Sequence, residues 1–280
     1  MSNFWTRTVT GLSMVFILLA AIYFSGWVFA LIFLLITILG LWEFYGLIST
    51  DDQSPQKIFG TTAGTLIYVM FFIFFSLRED LPDWLICLPF VIPVPLLFLS
   101  FIIEIYRKKQ NPVINVATTV LGIVYIAIPF SLLLAFSERG ANHFLGMPVV
   151  LVGYFGFTWI YDTGAYLYGK QFGKHKFFER ISPKKTWEGT IAGAMITLAL
   201  ACGLSFLHTG LPLYDWLALA VLVIIFGTLG DLVESLFKRS LNIKDSGTIL
   251  PGHGGILDRF DTMLISAPFV FLYFFLRTSI

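Results

Sequence analysis

What most restricts the fold of this chain is the return of apolar runs about 20 residues long, the length a helix needs to cross a bilayer. Nine can be marked, at approximately Thr8–Phe24, Trp27–Leu47, Gly60–Leu77, Trp84–Tyr106, Ala117–Phe136, Pro148–Tyr168, Trp187–Leu207, Trp216–Phe237 and Asp258–Leu276. In lipid each segment must satisfy its own backbone N–H and C=O groups, which makes such runs helices. Only 12% of the 280 residues are charged, against about 25% in a soluble domain. The expected fold is therefore all-α: a polytopic integral membrane protein with about nine transmembrane helices. A single multispan domain over residues 1–280 is the economical reading. Its N-terminal helices occupy 1–136, and the segments that carry chemistry occupy 148–280. The lipid bilayer is a partner by composition; no nucleic-acid partner is expected.

Local signals refine this picture. Only Ser25-Gly26 divides the first two runs, which predicts a tight hairpin. Pro89, Pro93 and Pro95 predict a kinked or broken fourth helix. No A-x-A-like cleavage site follows the first run, so it reads as a helix and not as a signal peptide. Cys87 and Cys202 stand alone in apolar runs, with no spacing that suggests zinc, and are expected to be small packing residues.

Basic residues orient the helices. With the N-terminus inside, Arg7, Lys57, Arg107, Lys108, Lys109, Lys170, Lys174, Lys176, Arg180, Lys184, Lys185, Lys238, Arg239, Lys244 and Arg259 fall on the cytoplasmic side. Only Arg78, Arg139 and Arg277 of the 18 Lys and Arg fall outside. Positive residues mark cytoplasmic loops, so the tally predicts a cytoplasmic N-terminus and a C-terminus on the far side.

Chemistry gathers between Ser235 and Asp261, a stretch denser in charge than folding in lipid requires. Asp231, Glu234, Ser235 and Lys238 share one face of the eighth run. One acid and one lysine would suit an internal ion pair; two acids, a hydroxyl and a lysine suit a water-filled cavity better. Asp258 and Asp261 stand one turn apart at the start of the ninth run. Capping of the helix N-terminus would explain one of them. A cation shared between the two would explain both, and Mg²⁺ usually joins one or two carboxylates to substrate phosphates. Between these runs, Gly247, Pro251, Gly252, His253, Gly254 and Gly255 form a loop that either simply turns or lets the backbone approach a phosphate. It leads into a helix N-terminus, which favours anions. His253 reads equally as a loop hydrogen bonder or a substrate contact. A second cluster, I-S-P-K-K-T-W-E-G, places Ser182, Lys184 and Lys185 where lysine can act as a phosphate-binding point charge. Lys174 and Lys176 read as ordinary cytoplasmic charge. Asp162, in D-T-G-A-Y, is either a buried hydrogen bonder or part of the site. Together these residues point to an enzyme that joins a phosphorylated soluble substrate to a membrane-borne one.

Ser235 to Asp261 resembles the signature of phosphatidate cytidylyltransferases, also called CDP-diacylglycerol synthases. Ser235, Lys238, Arg239, Lys244, Asp245, Gly247, His253, Gly254, Gly255, Asp258, Arg259 and Asp261 fall in place in it. The likeness reaches upstream through I-S-P-K-K-T-W-E-G and D-T-G-A-Y, roughly the second half of the chain. It implies transfer of a cytidylyl group from CTP to phosphatidate, Mg²⁺ dependence, and an often dimeric, multi-pass protein, here of a bacterial inner membrane with its site facing the cytoplasm. It implies catalytic roles for Asp231, Ser235, Lys238, Asp258 and Asp261, with Asp258 and Asp261 at Mg²⁺ and Asp231 at a second cation. It implies substrate contacts from Ser182, Lys184, Lys185, Arg239, Lys244, Asp245, His253, Gly254, Gly255 and Arg259. Three alternatives stand beside it. One is an enzyme acting on another lipid phosphate, such as an ether lipid. Another is a CDP-alcohol phosphotransferase, although the D-G-x-x-A-R run of that class is absent. The third is an ion-coupled transporter, which would explain Asp231 and Glu234 but not the loop signature.

Overall fold

A computed structural model describes residues 3–77, 82–137, 147–208, 210–247 and 254–279. The nine apolar runs all become helix. Helix α1 (Asn3–Phe24) and helix α2 (Gly26–Ile48) are divided only by Ser25, as the dipeptide predicts. The Ser25 hydroxyl accepts a hydrogen bond from the N–H of Trp27, capping α2. Helix α3 spans Lys57–Leu77. The prolines break the fourth run into α4 (Asp83–Ile86), α5 (Leu88–Val91) and α6 (Pro93–Arg107). The fifth run is α7 (Pro112–Gly122), a wide π turn at Ile123–Ala127, then α8 (Ile128–Leu133). Proline lacks an N–H and crowds the carbonyl four residues back, so the wide turn accommodates Pro129.

Helix α9 covers Pro148–Phe172. A short antiparallel hairpin follows, β1 (Lys176–Phe178) against β2 (Ser182–Thr186), with Lys176 opposite Thr186. Next come α10 (Trp187–Leu207), α11 (Leu213–Leu222), a second π turn at Val223–Gly227, α12 (Thr228–Ser240) and α13 (Leu257–Ser279).

Among the described residues, seven helical stretches are long and apolar enough to cross a membrane. The count of nine is not reached: the apolar part of α1 is short, and α9 falls outside the set. Leu12, Phe16, Phe98, Ile102 and Val113 are exposed, as apolar side chains on a lipid-facing surface should be. Cys87 is exposed and Cys202 half-buried, so neither packs in the core as expected.

The chain divides into two compact units. One comprises Met1–Pro148, Asp245–Phe260 and Thr278–Ile280. Its core includes Phe33, whose ring meets Phe130 and Phe260 edge-on at 5.5 and 5.9 Å. It also buries Glu104, which accepts hydrogen bonds from Gln56, Asn115 and Arg107. The other unit comprises Val149–Lys244 and Asp261–Arg277. Here α9 meets α10 backbone to backbone: a Cβ on Gly189 would lie 2.5 Å from the Ala165 carbonyl oxygen. Likewise α12 meets α13 at Gly230, where a Cβ would lie 2.6 Å from the Asp261 carbonyl oxygen. Small residues at such crossings let membrane helices approach closely.

Candidate active site

The second unit holds a cavity of about 650 Å³. Helix α9 supplies Tyr161, Asp162, Tyr166 and Lys170 to its wall; the hairpin supplies Lys176, Ser182, Lys184, Lys185 and Thr186. Thr190 of α10 and Asp231 of α12 complete it. The hairpin is tied in place locally. The Thr186 hydroxyl caps α10 by accepting from the N–H of Gly189 at 3.3 Å. Glu188 turns back to accept from the N–H groups of Lys174 and His175, and the N–H of Trp187 bonds the His175 carbonyl. The lysines of S-P-K-K-T are therefore presented from a fixed strand.

Asp231 meets both kinds of partner. Its Oδ2 lies 2.6 Å from Lys185 Nζ, and its Oδ1 accepts from the Ser235 hydroxyl at 3.2 Å. Lys238 pairs with Glu234 one turn along α12. The close approach of α12 and α13 at Gly230 brings Asp261 near this group: Asp231, Glu234 and Asp162 are all within its electrostatic reach. One oxygen of Asp261 accepts from the N–H of Thr262 at 2.6 Å. Helix α12 then ends in a Schellman turn. Asn242 takes φ of 55°, and the N–H groups of Asn242 and Ile243 bond the carbonyls of Arg239 and Lys238.

Cavity wall and predicted residues coincide only in part. Ser182, Lys184, Lys185 and Asp231 line the cavity; Ser235, Lys238, Arg239, Lys244 and Asp261 do not. Arg239 and Lys244 are exposed. Lys176, read as ordinary positive charge, stands in the wall, as do Lys170, Tyr161 and Thr190. No sequence signal marks these four: Lys176 enters through the strand pairing of the hairpin, and Lys170, Tyr161 and Thr190 through the packing of α9 and α10. Asp162, left open above, is also in the wall.

In the first unit, Asp245 and Arg259 are exposed. Asp258 Oδ2 accepts from the N–H groups of Ser246 at 2.9 Å and Gly255 at 2.8 Å. Gly254 takes φ of 88°, a conformation glycine adopts without strain. His253, Pro251 and Gly252 lie outside the described residues. Among the described residues, no group of three or more His, Cys, Asp and Glu side chains is gathered as a metal cluster.

A wall that gathers four lysines and several hydroxyls with two aspartates suits a polyanion. The sequence model of a family described as the cytidylyltransferase family matches residues 5–277. A Staphylococcus haemolyticus protein named phosphatidate cytidylyltransferase is 35% identical over 266 residues, covering 94% of this chain and 95% of its own length. A Staphylococcus saprophyticus protein of the same name is 31% identical over 263 residues, covering 94% and 95%. One from Staphylococcus aureus reaches 38% over 177 residues, covering 62% of this chain and 65% of its own length.

Proposed function

The chain belongs to the cytidylyltransferase family, and from that premise we propose that it transfers a cytidylyl group from CTP to phosphatidate. The products are CDP-diacylglycerol and pyrophosphate, the former a precursor for phospholipid synthesis. The observation that carries the reading is the cavity itself, whose wall gathers Lys170, Lys176, Lys184 and Lys185 with Asp162 and Asp231.

The chemistry asks little of a general base. A phosphate oxygen of phosphatidate attacks the α-phosphorus of CTP, forming a new P–O bond. The bond from that phosphorus to the bridging oxygen breaks, and pyrophosphate leaves with the electron pair. The attacker is already an anion, so no proton need be removed first. Positioning and charge neutralisation supply the catalysis. Lys170, Lys176 and Lys184 bind the phosphate chain as point charges. Ser182 and Thr186 offer hydroxyl donors from the same wall, while the Thr190 hydroxyl donates to the Thr186 carbonyl. Lys185 neutralises Asp231 and orients it with the help of Ser235.

The donor set fits Mg²⁺. That ion demands no all-protein cage; it takes one or two carboxylates and fills its shell with substrate phosphates and water. Asp231 and Asp261 of the second unit are the carboxylates to hold it, with Asp258 the third candidate from the signature. When bound, the ion supplies charge neutralisation at the nucleotide phosphates.

The helices make this a multi-pass membrane protein, and its staphylococcal relatives are bacterial. The finer reading places it in the inner membrane with the lysine-rich cavity toward the cytoplasm, where CTP is found, and as a homodimer by resemblance. The test is direct. Purified protein in detergent–lipid micelles receives CTP labelled at the α-phosphorus and phosphatidate. Label should move into a chloroform-soluble product only when phosphatidate is present. Transfer to an ether-lipid phosphate in preference would shift the substrate assignment, and no transfer to any lipid phosphate would reject the reading.

A further inference from the structure

Glu43 is the only charged residue in helix α2, in the half of the chain that carries none of the signature. It is buried, at 7% exposure. A buried carboxylate in an apolar helix is expensive unless hydrogen bonds satisfy it. Here the donors come from the signature loop, more than 200 residues away in the chain. Glu43 Oε1 accepts from the Ser246 hydroxyl at 2.5 Å and from the N–H of Leu257 at 3.1 Å. Its Oε2 accepts from the N–H of Ile256 at 2.8 Å.

This contact explains a glycine. A Cβ on Gly255 would lie 2.0 Å from Glu43 Oε1 and 2.2 Å from the Ser246 hydroxyl. The loop lacks a side chain at 255 because the Glu43 carboxylate fills that space. Asp258 finishes the arrangement by accepting from the N–H groups of Gly255 and Ser246. The N–H groups of Gly255, Ile256 and Leu257, at the start of α13, are thus engaged by the protein's own carboxylates. The anion that a helix N-terminus attracts is supplied from α2.

We propose that Glu43 is a positioning residue for cytidylyl transfer: it anchors the signature loop and fixes the start of α13, the helix that carries Asp258 and Asp261. It touches no reacting atom. The inference rests on the proposed reaction, in which those aspartates serve the phosphates. Glutamine cannot replace it, because three donors converge on the two carboxylate oxygens and an amide NH₂ would face a donor.

The test combines kinetics with amide exchange on the intact protein in micelles. Glu43→Gln should lower kcat by about 10²-fold, the scale of a small misplacement of reacting groups. In the same sample the Ile256 and Leu257 amides should exchange faster, while those of α9 and α10 keep wild-type rates. Wild-type kcat, or a lost kcat with unchanged exchange at Ile256 and Leu257, overturns the proposal. If Glu43→Gln does not fold, Ser246→Ala removes one donor only and is read by the same two criteria, with a smaller loss expected. Absence of transfer by the wild type would instead reject the reaction, and amide exchange alone would then decide whether Glu43 holds the loop.

Discussion

At the scale of single residues, surroundings separate two aspartates that look alike in sequence. Asp261 stands among Asp162, Asp231 and Glu234, whereas Asp258 organises a loop through two backbone N–H groups. Asp261→Asn keeps the shape and removes the charge. We expect turnover to fall about 10²–10³-fold, the scale of losing one preorganised transition-state contact, with the thermal midpoint nearly unchanged. Asp258→Asn should lower turnover and also cost stability, by about 1 kcal/mol, the scale of a lost cap. Cytidylyl transfer per folded molecule, measured beside thermal unfolding, separates these effects. Near-wild-type turnover in Asp261→Asn would remove that residue from the site. The capping contacts of Asp258 could be anticipated from its place at a helix start; Glu43 could not, since an isolated acid in an apolar run gives no hint of a partner two hundred residues away.

Pairs of helices build the cavity at the next scale. α9 and α10 touch at glycines, and that approach presents Lys170 of α9 to the same space as the hairpin lysines. Gly189→Ala sets a methyl 2.5 Å from the Ala165 carbonyl oxygen and 2.9 Å from the Gly169 Cα, backbone atoms that cannot swing aside. We expect a loss of about 1–3 kcal/mol, typical of overpacking, with reduced CTP binding. Gly203→Ala on the same helix meets nothing within 4 Å. Replacing an open helical glycine with alanine should be neutral or stabilising by up to ~1 kcal/mol. Unfolding midpoints of both variants in one detergent make the comparison. Equal midpoints would show that α9 and α10 are not held by this crossing.

Charge and lipid act on the whole molecule. The acids around Asp261 and the basic cavity wall predict that EDTA abolishes turnover and that Mg²⁺ restores it; full activity in a metal-free preparation would reject the cation sites. The tally of basic residues predicts a cytoplasmic N-terminus and a distal C-terminus. After Cys87 and Cys202 are replaced, single cysteines at Lys176 and Ser279 should react with an impermeant reagent from opposite sides. Labelling of both from the cytoplasmic face would overturn this orientation.

The sequence alone determined the class of protein and the kind of chemistry. Lipid forces apolar runs into helices, and the cost of charge near lipid makes each acid or lysine there conspicuous, so Asp231, Lys185 and Asp261 stand out in the sequence alone. The Ser25 hairpin and the proline breaks were equally local, and equally visible. What the tertiary structure decided is who meets whom. Lys185 belongs to Asp231 because a strand pairing turns it inward, and Lys176 joins the cavity through the same hairpin. Gly255 is small because Glu43 needs its space. The hydrophobic pattern that specifies each helix says which residues avoid water; it does not encode which helix lies beside which, and that choice rests on close backbone approach and hydrogen bonds between residues far apart in the chain.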